Sequence, residues 1–166
     1  FLYIVFRFRK WQFGLGALLA TTHDVLIVLS VFSILWGILP FTMEIDQAFI
    51  AAILTVIGYS INDTVVVFDR VRENLRNFKS LPLLRVLNMS INNTLSRTIM
   101  TSLTTLLALF ALYFFGGDVI RGFTFAMIWG VLVGTYSSIF VAAKILLILD
   151  VKRNWDEKDS KAGTQF

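Results

Sequence analysis

The sequence predicts an all-α integral membrane protein, a bundle of several membrane-spanning helices, and three observations support that class. Hydrophobic residues make up 57% of the 166 residues and charged residues 16%, whereas soluble domains are about 45–50% apolar and about 25% charged. The apolar residues form stretches of membrane-spanning length. Basic residues collect in alternate linkers between those stretches. A soluble enzyme of this length could not bury so much apolar surface, and a disordered chain would not contain it.

The predicted spans follow from runs of about 20 mostly apolar residues. Residues 1–10 contain the end of a preceding transmembrane helix, because the chain opens inside an apolar run without a signal-peptide pattern. We therefore interpret the chain as a fragment of a longer membrane protein. The full spans are predicted at residues 14–39, 47–68, 97–116 and 119–149.

The third linker and the tail differ in composition from the spans. Residues 69–96 form a basic linker that contains a helix, since Pro82 suits the first turn of a helix and Ser80 is a possible cap. Leu83 to Ser96 could run along the membrane surface or lead straight into the next span. Residues 150–166 form a polar tail, in which we expect Asp156 to Gln165 to be disordered.

The distribution of basic residues predicts the orientation of the bundle. Lysine and arginine are frequent before the first full span, in residues 69–96 and in the tail, and they are scarce in the other two linkers. Cytoplasmic loops carry this excess in membrane proteins. The basic linkers and the C-terminus are therefore predicted to be cytoplasmic.

Ionisable residues inside the spans are the first candidates for function, because each costs about 2.5–3.5 kcal/mol at the centre of a membrane helix. Asp24, Asp63 and Arg97 stand out. At about 1.5 Å per residue, these three residues and Thr101 lie roughly 21–27 Å below the outer ends of their spans. Three helices thus place polar groups in one layer, and Arg97 and Thr101 share a helix face.

Asp63 has two chemical options in that layer. It can be ionised and paired with Arg97, or protonated and hydrogen-bonded to a hydroxyl. A conformational change that alters its distance to Arg97 would then drive proton uptake or release. Two alternatives stay open: a static ion pair that locks the helices together, and a polar layer that binds a ligand or conducts ions.

Secondary candidates surround these residues. Histidine as a residue type titrates near neutrality, so His23 is either a hydrogen-bonded packing residue or a proton relay. Adjacent residues point apart on a helix, so a pair of His23 with Asp24 would be awkward. Thr135 and Ser138 lie at about the depth of Asp63, and Asn62 flanks it. Gly130 and Gly134 form a G-x-x-x-G pattern that favours close helix packing.

Several kinds of site are not expected. The chain has no cysteine and one histidine, which argues against thiol catalysis, thiolate metal sites and histidine metal clusters. No cofactor site, metal site or catalytic constellation of an enzyme is recognised, and no basic patch with interleaved aromatic residues points to nucleic acid.

Three segments resemble the SecF branch of the SecD/SecF family of protein-export membrane proteins. The segment from Gly58 to Asn74, which reads GYSINDTVVVFDRVREN, is similar to the fourth-span signature of that branch. The segment from Asn92 to Ser102 resembles the start of its fifth span, and His23-Asp24-Val25 resembles part of its third. The resemblance covers nearly the whole chain.

The resemblance implies a fold, a function and partners. The fold would be that of the resistance–nodulation–division superfamily, in a fragment that lacks the first span and the periplasmic domain. The function would be to assist preprotein export across the bacterial cytoplasmic (inner) membrane with the proton-motive force. The partners would be SecD (separate or fused), the SecY–SecE–SecG channel, SecA, YajC, the preprotein, protons and the lipid bilayer.

Site residues are implied in the same way. By the resemblance, Asp63 matches the essential intramembrane aspartate of the family, Arg97 its basic partner, Thr101 the nearby hydroxyl and Asp24 a further polar position. Two other functions remain as alternatives: a proton-driven exporter of small substrates from the same superfamily, and a structural scaffold that holds SecD against the channel.

Overall fold

The chain folds into helices joined by short connections, in a computed structural model that describes residues 2–41 and 43–151. The elements are α1 (Leu2–Phe8), α2 (Trp11–Leu35), α3 (Gln47–Asn77), α4 (Leu83–Phe115), a 3₁₀ turn (Asp118–Ile120), α5 (Arg121–Tyr136), a π-turn (Ser137–Val141) and α6 (Ala142–Ile148). No β-strand occurs within the described residues. Most of the predicted polar tail, residues 152–166, lies outside them.

Four stretches are long and apolar enough to cross a membrane: α2, α3, α4 and the continuous stretch from Asp118 to Ile148. This confirms the predicted all-α, multi-span class. The last stretch counts as one span because α5, the π-turn and α6 follow one another without a break.

Residues 69–96 belong mostly to two long helices. Residues 69–77 continue α3, α4 begins at Leu83, and only residues 78–82 connect the two helices. Pro82 is the N-cap of α4 with an extended backbone (φ −62°, ψ 149°), which its ring permits and which suits the residue before a helix. Of the two alternatives for Leu83 to Ser96, the structure has the second, in which they lead straight into the span.

Two apolar clusters occupy opposite ends of the bundle. In the first, Phe13 stacks on Phe8 with ring centroids 5.0 Å apart and meets Phe68 edge-on at 5.3 Å. In the second, the ring centroids of Phe32 and Phe49 lie 4.5 Å apart. Along α2, α3, α4 and the last span, buried polar residues separate the two clusters. We call them the polar layer; its members are Asp24, Ser60, Asp63, Thr64, Thr98, Ser137 and Ser138.

Close packing of α5 on α3 fixes the geometry of this layer. A Cβ atom added to Gly130 would overlap the side chain of Val56, and one added to Gly134 would lie 3.3 Å from the Cβ of Ser60. Such small residues let membrane helices approach each other closely. The G-x-x-x-G pattern therefore sets the distance between the serines of the last span and the carboxyl group on α3.

Candidate functional site

Asp63 lies in the middle of α3, where hydroxyl groups from two other elements hold its carboxyl group. Its residue exposure is 7%. The Thr98 hydroxyl of α4 donates to Oδ1 at 2.9 Å, and the Ser138 hydroxyl of the π-turn donates to Oδ2. Both carboxyl oxygens are therefore bound, each by a different part of the bundle.

This arrangement suits a group that changes protonation state. A hydroxyl is at once a donor and an acceptor, so it can donate to a carboxylate or accept from a carboxylic acid. A guanidinium group has donors only, so it can bind the carboxylate but cannot accept a hydrogen bond from the carboxylic acid. The hydroxyl cage of Asp63 thus offers hydrogen bonds to both forms.

Arg97 and Thr101 lie outside this cage. Both residues are exposed, the Thr101 hydroxyl donates to the Thr98 carbonyl at 3.0 Å, and no ion pair joins Arg97 to Asp63 among the described residues. Arg97 and Thr101 do share a face of α4, as their spacing predicts. That face points away from Asp63, because the next residue in the chain, Thr98, takes the inward position about 100° round the helix.

Asp24 is a second carboxyl group in the polar layer and is completely buried (0% exposed). The Ser60 hydroxyl of α3 donates to its Oδ2 at 2.5 Å. The His23 Nδ1 lies 3.1 Å from its Oδ1. The expectation that adjacent His23 and Asp24 would pair only awkwardly is wrong here, because the two side chains lie within hydrogen-bonding distance.

The secondary candidates have separate surroundings. Ser138 joins Asp63, whereas the Thr135 hydroxyl lies 2.6 Å from that of Ser102 on α4 and donates to the Val131 carbonyl at 2.6 Å. Asn62 is exposed and does not face the layer. Thr135 therefore ties α5 to α4 next to the carboxyl site.

Thr98 and Ser60 were not among the predicted site residues. A signal for Thr98 is present in the sequence, since four residues of α4 at intervals of four carry hydroxyl groups: Ser90, Thr94, Thr98 and Ser102. Residues at this spacing lie on one face of a helix, and all four are buried. Ser60 likewise precedes Asp63 by three residues on α3 and so shares its side of the helix.

A family comparison decides where this chain belongs. Residues 1–152 match the family described as "Protein export membrane protein SecD/SecF, C-terminal". The chain belongs to this family. Its buried aspartates and its α4 arginine lie within the matched residues.

Similar proteins extend the comparison. The chain is 57% identical over 164 residues to "Protein translocase subunit SecF" of Cereibacter sphaeroides, covering 99% of this chain and 48% of that one. It is 52% identical over 161 residues to "Protein translocase subunit SecDF" of Brucella abortus, covering 96% of this chain and 20% of that one. The chain thus spans about half of the SecF relative.

A solved structure agrees with the fold. The crystal structure of SecDF in its super-membrane-facing form matches with a TM-score of 0.83 and 48% identity, over 96% of this chain and 21% of that one. At this identity the fold of the SecD/SecF family is shared along almost the whole chain.

Proposed function

We propose that this chain is the membrane-embedded, proton-coupling part of a SecF subunit, which uses the proton-motive force to assist preprotein export. The observation that carries the proposal is the hydroxyl cage of Asp63, formed by Thr98 and Ser138. Asp63 is buried without a cationic partner among the described residues, and its cage can serve both protonation states. Asp63 then carries the proton.

Arg97 provides the alternative partner for the ionised form of Asp63. It precedes Thr98 by one residue, so a rotation or shift of α4 exchanges the hydroxyl for the guanidinium group next to Asp63. Thr101 shares the face of Arg97 and supports this second arrangement through a hydrogen bond. Protonation frees Asp63 from Arg97 and returns Thr98 to the cage, and the accompanying helix movement is passed to the periplasmic domain. Asp24 belongs to the same proton-coupling group.

The exposed face of α4 supports a SecD subunit as partner. Arg97 is exposed there beside apolar residues such as Met100 and Leu103. A charged side chain facing lipid at this depth is costly, and partner helices would remove that cost. One relative carries a name that joins SecD and SecF, which favours SecD as the subunit that covers this face.

The remaining assignments follow from the family. We place the protein in the bacterial cytoplasmic membrane, with the basic end of the bundle and the C-terminus in the cytoplasm, since Arg7, Arg70, Arg72 and Arg76 lie at that end. It works with the SecY–SecE–SecG channel, SecA and YajC on preproteins. It performs no enzymatic reaction of its own.

Preprotein translocation into vesicles tests this proposal. The vesicles carry the full-length protein with SecD, as the natural sequence, as Asp63→Asn or as Asp118→Asn. Asp118 is a matched control because its carboxylate lies outside the polar layer and pairs with Arg121 at 2.6 Å. Stimulation by a proton gradient should disappear in Asp63→Asn alone, while assembly with SecD persists.

Other results would favour the other functions. Normal stimulation in an assembled Asp63→Asn variant would contradict the proposal and favour a structural scaffold. Gradient-driven export of small dyes, without any effect on preprotein, would instead favour a small-substrate exporter.

A further inference from the structure

The environment of Asp24 repeats that of Asp63 in a second place. Its carboxyl group is fully buried and binds the Ser60 hydroxyl of α3. The Ser137 hydroxyl of the π-turn donates to the Ala20 carbonyl of α2 at 3.4 Å, one turn before Asp24. Each carboxyl group thus binds a hydroxyl group from another helix, and consecutive serines of the π-turn contact the α2 backbone near Asp24 and Asp63 itself.

The two sites are also linked through the backbone. On α3, Ser60 binds Asp24 and lies three residues before Asp63, which places both on one side of the helix. In the π-turn, Ser137 contacts the α2 backbone one turn before Asp24, and the next residue, Ser138, donates to Asp63. A single peptide bond therefore joins the serine that contacts the helix of Asp24 to the serine that binds Asp63.

The serines that contact α2 and Asp63 are consecutive residues of the π-turn. Both Ser137 and Ser138 are completely buried. The Ala142 N–H donates to the Ser137 carbonyl, five residues back. Such turns are rare, and within helices they often occur at functional sites.

We propose that this π-turn couples the two buried carboxyl groups, so that Asp24 is a second proton-binding group whose protonation alters that of Asp63. The proposal rests on the proposed function and adds a second site and the link between them. The proton comes from water, past the His23 ring, whose side chain is 36% exposed. It forms an O–H bond on the Asp24 carboxylate, and the Ser60 hydroxyl changes from donor to acceptor.

Few other charged groups take part in this coupling. His23 contacts Asp24 directly, and Asp63 is the ionisable residue of α3 in the polar layer. The π-turn carries no ionisable side chain, and Tyr136 and Lys144 on either side of it are exposed. On α1, Arg7 lies 3.5 Å from Asp69 instead. On α4, Arg97 is exposed.

The protonation of Asp63 can be followed by its reaction with dicyclohexylcarbodiimide, which modifies protonated carboxyl groups. The full-length protein with SecD in vesicles is labelled across a pH series, and modification of Asp63 is quantified by peptide mass spectrometry. Interacting groups titrate in macroscopic steps that belong to the pair. Asp24→Asn should therefore change the shape of the Asp63 curve and displace its midpoint by at least about half a pH unit, a threefold change in proton affinity.

Two further variants make the result decisive. Ser137→Ala keeps both carboxyl groups but removes one hydroxyl of the link, and should displace the curve in the same sense by a smaller amount. Thr55→Ala removes an exposed α3 hydroxyl that binds only the Ala51 carbonyl, and should leave the curve unchanged. If Asp24→Asn does not assemble with SecD, Ser137→Ala decides alone.

Superimposable curves for the natural sequence and the assembled variants would overturn the proposal. That result would leave the translocation test of Asp63→Asn unaffected, because labelling does not depend on export. Conversely, a displaced curve together with normal gradient stimulation in Asp63→Asn would refute the proposed function and retain the coupling.

Discussion

The two faces of α4 differ in whether their polar side chains are buried and find partners within this chain. The inward face carries Ser90, Thr94, Thr98 and Ser102, all buried, and Thr98 binds Asp63 at 2.9 Å. The adjacent face carries Arg97 and Thr101, both exposed. The inward face is covered by the other helices of this chain. The other face places a guanidinium group at the depth of the polar layer without a partner among the described residues.

The difference suggests a division of labour between the faces. The inward face positions Asp63 through packing and hydroxyl groups, so its residues should matter for stability and for Asp63 itself. The outward face should matter only when SecD covers it. Substitutions on the two sides should therefore separate effects on folding from effects on coupling.

Among the substitutions considered, Gly130→Ala on α5 should most strongly disturb the packing that positions the polar layer. The new Cβ would overlap Val56 and push α5 away from α3, at an expected cost of about 1–3 kcal/mol in the free energy of unfolding. Adding Val56→Ala should recover most of that loss. Denaturant titration of the purified protein measures both.

Gly58→Ala is the matched control for this prediction. A Cβ at Gly58 meets no atom within 4 Å, so stability should stay the same or rise by up to about 1 kcal/mol, because alanine is the better helix former. Equal losses in Gly58→Ala and Gly130→Ala would show that close packing of α5 on α3 is not what holds the layer together.

Arg97→Gln tests the outward face of α4. In vesicles that carry this variant with SecD, the stimulation of preprotein translocation by a proton gradient should fall at least about tenfold, equivalent to about 1.4 kcal/mol. The free energy of unfolding without SecD should change by less than about 0.5 kcal/mol, because the side chain is exposed. Arg85→Gln, another exposed cation on α4, should affect neither quantity. A large loss of stability in Arg97→Gln would contradict the division between the faces.

The smallest effect is expected for Thr98→Ala, which removes one donor from the Asp63 cage. A single hydrogen bond of about 1 kcal/mol corresponds to roughly a fivefold reduction in gradient stimulation. Thr98→Ser should restore the stimulation, because it returns the hydroxyl. Thr104→Ala, whose exposed hydroxyl binds only backbone carbonyls of its own helix, should have no effect. Equal losses in both alanine variants would argue against the cage.

From the sequence, the level of the polar residues along their helices could be predicted, but the direction in which their side chains point around the helix axis could not. The fixed rise of a helix places Asp24, Asp63, Arg97 and Thr101 near one level, but the rotation of α4 depends on its neighbours. A rotation of one residue exchanges Arg97 for Thr98. The π-turn was not predicted, because Ser137–Val141 carries no proline or glycine to mark it. The extension of α3 to Asn77 was hidden by its charges, although Arg70 and Glu73 pair along the helix at 2.6 Å.

The central claim is that Asp63 changes its protonation state while the protein works, and infrared difference spectroscopy tests it most directly. The full-length protein with SecD in vesicles is measured before and after acidification of the outer medium, and the natural sequence is compared with Asp63→Asn. We predict a carbonyl band of a newly protonated carboxylic acid in the natural protein that is missing from the variant. Identical difference spectra for the two proteins would contradict the account.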